Sequence, residues 1–172
     1  MTDLLLVRPD ADMEAQAEAF KNEFWEHGEK TIYGSNRLDM GKYSCAEWIA
    51  LVSGLNDSPA SPAAEFSHTF FAVRSDGAVV GIVNFRHPLE GFFADTGHIG
   101  YSIRPSERRK GYGAEILRKT LTYAKKNRMT EVFLVCEQAN EASRRTILKN
   151  NGVLRRTFVK KETVCEEYQV AL

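Results

Sequence analysis

Arg108-Arg109-Lys110-Gly111-Tyr112-Gly113-Ala114 gathers three cations and two glycines in seven residues. Glycine lets the backbone turn tightly and removes Cβ atoms where a ligand must come close. If a helix opens at Gly113, its unpaired amides and the positive end of its dipole form a site for phosphate oxygens, with Arg108, Arg109 and Lys110 adding charge beside it. The loop is not a Walker A sequence, which needs Gly-x-x-x-x-Gly-Lys-Ser/Thr. Nor is it the dinucleotide fingerprint, because Leu117 and Arg118 continue a helix where a third glycine would be needed. The chemistry it predicts is binding of an anion at a strand–loop–helix junction.

The other reactive side chains show no such pattern. Four histidines (His27, His68, His87, His98) and three cysteines (Cys45, Cys136, Cys165) have no metal-ligand spacing, so no metal is expected. An odd number of widely separated cysteines also argues against a disulfide framework. Cys136 reads as a buried thiol at a strand end, since nothing around it marks a lowered pKa. The basic residues over 144–161 have few aromatics among them and no nucleic-acid reader motif, so nucleic acid is not an expected partner.

The elements that would position the loop follow from hydrophobic period. Leu4 to Arg8 reads as a strand, and Met13, Ala17, Phe20 and Phe24 recur at helical spacing over 12–26. A second helix is expected over 44–55, and residues 28–43, with three glycines and no clear period, read as a loop. The tract Asn56 to Ala63, with two prolines, breaks any regular pattern. From His68 the period is two: a strand to Arg74, a turn at Ser75-Asp76-Gly77, and a return strand over 78–86. A third strand is expected over 97–104, a helix over 113–127, a strand over 132–136, a helix over 140–151 and strands over 153–160 and 163–171. The helix crossover predicts that the strands at 97–104 and 132–136 run parallel. The expected fold is α/β (α+β): a mixed, mostly antiparallel sheet of about seven strands with about four helices.

Arg108-x-x-Gly111-x-Gly113 resembles the acyl-coenzyme A pyrophosphate loop of the GNAT N-acetyltransferase superfamily. Tyr101-Ser102-Ile103-Arg104-Pro105 resembles the strand end before that loop, and Asn140-Glu141-Ala142-Ser143 the start of the family's next helix. The string from Gly97-His98-Ile99-Gly100-Tyr101 to Tyr112 is similar to a bacterial branch of predicted acetyltransferases. The motif match covers about residues 97–152, and the order of elements fits nearly the whole chain.

The resemblance implies a central pair of parallel strands that splay apart and a direct transfer of acetyl from acetyl-CoA to an amine. It places pantetheine against the backbone of Tyr101, Ser102 and Ile103, with Ile103 the foremost contact. It places pyrophosphate on the amides of Arg109 to Ala114, through Lys110, Gly111, Tyr112 and Gly113, with Arg108 beside them. Asn140 matches the asparagine that meets the pantetheine arm; as a helix N-cap it has a structural reading too. The tyrosine acid that family members often carry falls here on Ile147, which has no proton to give. Tyr101, Ser143 or water are the substitutes. His98 is the candidate base, since its strand supplies bases in the family and imidazole titrates near working pH. The alternative is a histidine that bonds a neighbouring loop. A non-catalytic CoA-binding module is the second functional reading, favoured by Ile147.

Length and charge fit this expectation. A chain of 172 residues with 27% charged residues is one domain's worth of globular sequence, 1–172, and needs no staple. Residues 101–172 carry 16 of 23 Lys+Arg and 8 of 23 Asp+Glu, so the cofactor half is basic and the first hundred residues are acidic. An acidic acceptor side, about 1–65, favours a cationic amine. No apolar run reaches membrane-span length, and the start shows no signal peptide, so a cytoplasmic protein is expected. Exposed strands or the C-terminal hairpin offer a route to a homodimer.

Overall fold

Among the described residues, alternating burial and helical stripes produce seven strands and four α-helices in the order expected. The computed structural model describes residues 3–62 and 64–172. Met1, Thr2 and Ala63, the last residue of the proline-containing tract, lie outside the described residues. Strand β1 spans Leu4–Val7, helix α1 Glu14–Glu26 and helix α2 Cys45–Asn56. Then come β2 (Phe66–Arg74), β3 (Val79–His87), β4 (Ile99–Ile103), α3 (Tyr112–Lys126), β5 (Glu131–Glu137), α4 (Glu141–Lys149), β6 (Val153–Lys160) and β7 (Thr163–Ala171). Helix α2 starts where the sequence directs: the Ser44 side chain accepts the Glu47 amide and Glu47 accepts the Ser44 amide, a complete capping box.

The strands form two antiparallel sheets, β1-β2-β3-β4 and β5-β7-β6. Helices α1 and α2 cover one face of the first sheet, where Phe20, Phe24, Trp48 and Val52 pack on Phe71 and Ile82. On the other face Ile116, Leu117 and Leu121 of α3 meet Val83, Phe85 and Ile99, and the same core continues to Leu134, Ile147 and Tyr168 of the second sheet. Every one of these side chains removed from water contributes roughly 1.5–3 kcal/mol against the entropy of ordering the chain.

The two sheets meet between β4 and β5, which splay apart rather than pair along their length. Among the described residues the contact is one isolated bridge, Gly97 with Leu134, of antiparallel type. Gly97 has φ +72, and a Cβ there would sit 2.9 Å from the Phe133 carbonyl and the Val135 amide. Arg86 holds this reversal by donating Nε to the Gly97 carbonyl at 2.9 Å and Nη2 to the Thr96 carbonyl at 3.0 Å. Past the bridge β4 keeps β3 as its strand neighbour, and its second edge faces the gap between the sheets.

Candidate functional site

The register of β4 decides which backbone groups face that gap. Arg104 donates its amide to the Val80 carbonyl and His98 accepts the Arg86 amide, both at 2.9 Å. Because partners alternate along an antiparallel pair, residues 98, 100, 102 and 104 turn their peptide groups to β3. Tyr101 and Ile103 therefore point theirs at the open edge, and the Ile103 carbonyl accepts Arg108 Nε at 3.3 Å. Ser102, expected as a third backbone contact, is turned the other way. Its hydroxyl donates to the Tyr33 carbonyl at 2.9 Å.

Helix α3 brings its amino terminus to this edge. Gly111 is the N-cap at φ +87, with no side-chain cap, and a Cβ built on it meets nothing within 4 Å. A Cβ on Gly113 would lie 3.8 Å from both Ile103 and Tyr101. The unpaired amides of the first turn thus stand beside the open edge of β4, with empty space in front of them, and an elongated ligand with an anionic end fits both. Tyr112 contributes only its amide, since its side chain is buried and its hydroxyl accepts Arg74 Nη1 at 3.4 Å.

The basic side chains of the loop are used differently from expectation. Arg108 grips Glu29 with two bonds of 2.6 and 2.8 Å, which holds the Glu29 carboxyl below its usual range. Its guanidinium also lies over the Phe24 ring. Lys110 pairs with Glu107 at 2.9 Å. Arg104 pairs with Glu23, which also accepts the Ser106 amide. Arg108 therefore braces the loop against the end of α1 rather than presenting a free charge. Of the triplet, Arg109 alone has no ion pair among the described residues.

Across the gap, β5 and α4 with its cap bring three polar side chains, Cys136, Asn140 and Ser143, towards Tyr101 of β4. Asn140 caps α4, its Oδ1 accepting the Ser143 amide at 3.0 Å. Ser143 Oγ lies 3.3 Å from the Tyr101 hydroxyl. Burial raises the Tyr101 pKa, so the phenol stays protonated and able to donate. Burial likewise raises the Cys136 pKa, with the Ser143 hydroxyl pulling the other way, so the thiol is not an activated nucleophile. Ile147 is 1% exposed and lies in the core.

His98 is not placed to take a substrate proton. Its ring is 5% exposed, stacked near the rings of His87 and Phe133, and its Nδ1 accepts the Phe133 amide at 3.0 Å. That bond occupies the one lone pair a neutral imidazole has. Burial, with His87 and Arg86 adding repulsion, lowers its pKa to about 4. The side chain instead clamps β5 to the entry of β4, the alternative the sequence left open. The unfolded chain, with a histidine pKa near 6.5, binds a proton the folded chain excludes down to about 4. Stability should therefore fall as pH drops through that window, by on the order of 2 kcal/mol. Urea unfolding at pH 7 and pH 4.5 measures it. His98→Gln should shrink the difference by about that amount, the remainder coming from groups such as His68, whose pKa burial also lowers, and an undiminished difference would contradict the clamp.

Two residues of the site have no local signal in the sequence. Tyr33 and Gly34 belong to the loop between α1 and α2, which lies against β4: a Cβ on Gly34 would fall 2.1 Å from the Gly100 carbonyl oxygen. The Tyr33 hydroxyl reaches Glu137 Oε1, at the end of β5, at 3.3 Å. The four histidines, three cysteines and acids form no cluster suited to a metal among the described residues.

Comparison with known proteins gives this geometry a context. A family model described as an acetyltransferase (GNAT) domain matches residues 3–153. No curated protein sequence matches the chain. Among solved structures, a GNAT-family acetyltransferase from Streptococcus pneumoniae is 16% identical with a TM-score of 0.70, covering 98% of this chain and 99% of that one. Spermidine N-acetyltransferase from Vibrio cholerae, in complex with CoA and spermine, is 12% identical with a TM-score of 0.70, covering 98% and 95%. A GNAT-family acetyltransferase from Bacillus anthracis is 18% identical with a TM-score of 0.65, again covering 98% and 95%. No described helix is long and apolar enough to cross a membrane.

Proposed function

Because the chain belongs to the GNAT acetyltransferase family, we propose that it transfers acetyl from acetyl-CoA directly to a primary amine, with the donor lying along the open edge of β4. The observation that carries this reading is the adjacency of that edge, at Tyr101 and Ile103, to the uncapped first turn of α3. The Tyr101 peptide and the Ile103 amide supply donors and an acceptor for the pantetheine amides, and the amides of Gly111 to Ala114 receive the pyrophosphate, with Arg109 at the rim. Acetyl-CoA supplies the thioester, whose acyl carbon is open to attack by a neutral amine.

The residues of this chain handle the protons. As the amine nitrogen forms its bond to the acyl carbon, the carbon–sulfur bond breaks and the sulfur needs a proton. Tyr101, neutral and hydrogen-bonded to Ser143, gives it from its hydroxyl, in place of the acid missing at Ile147. The amine proton leaves to water. Asn140 orients the site through its cap on α4 and its amide group. Cys136 and His98 take no part in the transfer. The spermine in the Vibrio cholerae complex is consistent with an amine acceptor for this fold.

Release of free thiol from acetyl-CoA over a panel of amines and peptides tests the reading. Tyr101→Phe should lower kcat roughly 10²-fold for an accepted amine while acetyl-CoA affinity stays within a few-fold. Unchanged kcat would remove Tyr101 as the acid. Binding of acetyl-CoA with no thiol released for any acceptor would favour the non-catalytic CoA-binding module.

A further inference from the structure

We propose that Tyr33 and Glu137 form the acceptor subsite and select an amine that arrives as an organic cation. This deepens the acetyl-transfer reading and rests on it. Tyr33 is fixed in place from behind. Its carbonyl accepts the Ser102 hydroxyl, and the next residue, Gly34, packs backbone to backbone on Gly100 and Tyr101. From there the phenol crosses to the other sheet and donates to Glu137 at the end of β5. The pair thus spans the gap between the sheets, with Tyr33 bonded to Ser102 on one side and Glu137 next in sequence to Cys136 on the other.

Strand alternation puts this pair on the face away from the donor's phosphates. Tyr101 and Cys136 turn into the core shared with α3, whereas Ser102 and Glu137 turn to the opposite face. The α3 side is filled by Ile116, Leu117 and Ile147, so an acceptor reaches the gap from the side where Tyr33 stands.

The chemistry there is that of an ammonium binder. Glu137 is an exposed carboxylate, and Tyr33 is a large aromatic left 54% exposed, held against it. An alkylammonium places its N–H groups on the carboxylate and its methylenes or charge on the ring. Burial and the adjacent Glu137 both raise the Tyr33 pKa, so the phenol remains a neutral donor that aims the carboxylate. A carboxylate-bearing acceptor would meet repulsion at the same place.

The test separates this role from a strut between sheets. The full chain saturated with CoA is titrated calorimetrically with 1,5-diaminopentane and with a lysine-containing peptide. At least one probe should bind, roughly tenfold more weakly to Glu137→Gln and to Tyr33→Ala, with CoA affinity unchanged within about twofold. In turnover, Glu137→Gln should raise KM for the cationic acceptor about tenfold with kcat within a few-fold. Binding of neither probe to the wild-type CoA complex, or equal binding by wild type and Glu137→Gln, overturns the proposal. A wild type that does not bind CoA at all strikes the acetyl-transfer reading first, and this inference with it.

Discussion

Gly111→Glu should lower acetyl-CoA affinity by at least roughly 100-fold while leaving a folded protein. Gly111 caps α3 with φ +87, and the space beside its Cα is empty. A side chain there costs about 1 kcal/mol of backbone strain, because a residue with a Cβ disfavours the left-handed region. The new carboxylate would lie at the amides and dipole end that the pyrophosphate needs, and would repel it. Gly111→Ala bears the strain without the charge, so it should keep most of the affinity. Calorimetric titration of both variants, with circular dichroism to confirm folding, reads the difference. Equal affinity for wild type and Gly111→Glu would move the pyrophosphate elsewhere.

Gly34→Ala should be the most damaging methyl addition in the loop between α1 and α2. Its φ is +77, and the added Cβ would fall 2.1 Å from the Gly100 carbonyl oxygen and 2.9 Å from the Tyr101 Cα. Both are backbone atoms of β4, which β3 holds in place, so the loop must lift. Lifting it breaks the Ser102–Tyr33 bond and the seat of Trp48, whose indole donates to the Ser35 carbonyl at 2.9 Å. The expected loss of stability is about 3 kcal/mol or more, the sum of left-handed strain and overpacking. Gly28→Ala is the control, since its φ is +72 but a Cβ there meets nothing within 4 Å. It should cost only about 1 kcal/mol. Urea unfolding of the pair distinguishes contact from strain; equal losses would show that the loop does not bear on β4.

Elements with a local signal were legible in the sequence. The hairpin of β6 and β7 falls on the expected residues, and the Ser44 cap and its Glu47 partner mark the start of α2. The strand–loop–helix junction proposed to hold the anion was legible too, because strand end, glycines and helix start are adjacent in the chain. What was hidden depends on partners far apart in sequence. The three cations of the loop looked equivalent, yet Arg108 is bound by Glu29, 79 residues earlier. His98 alternates with Gly100 and Ser102 as its strand position suggested, but its lone pair is taken by Phe133, 35 residues on. Among the described residues β4 and β5 touch at a single bridge rather than along a ladder: the positive φ of Gly97, held by Arg86, turns the chain at the point of contact. Tyr33 and Glu137 are 104 residues apart, and neither has a periodic neighbour to reveal it.

The central claim is that acetyl-CoA lies along the open edge of β4 with its phosphates on the first turn of α3. Backbone amide shifts of the isotope-labelled chain, followed while acetyl-CoA is added, test it most directly. The largest changes are expected at Tyr101, Ile103 and residues 109–114, with Gly100 and Ser102, whose amides face β3, moving less. Changes confined to the open cleft between α1 and the β2–β3 turn, around Gln16, Asp76 and Arg104, with residues 109–114 unmoved, would contradict it.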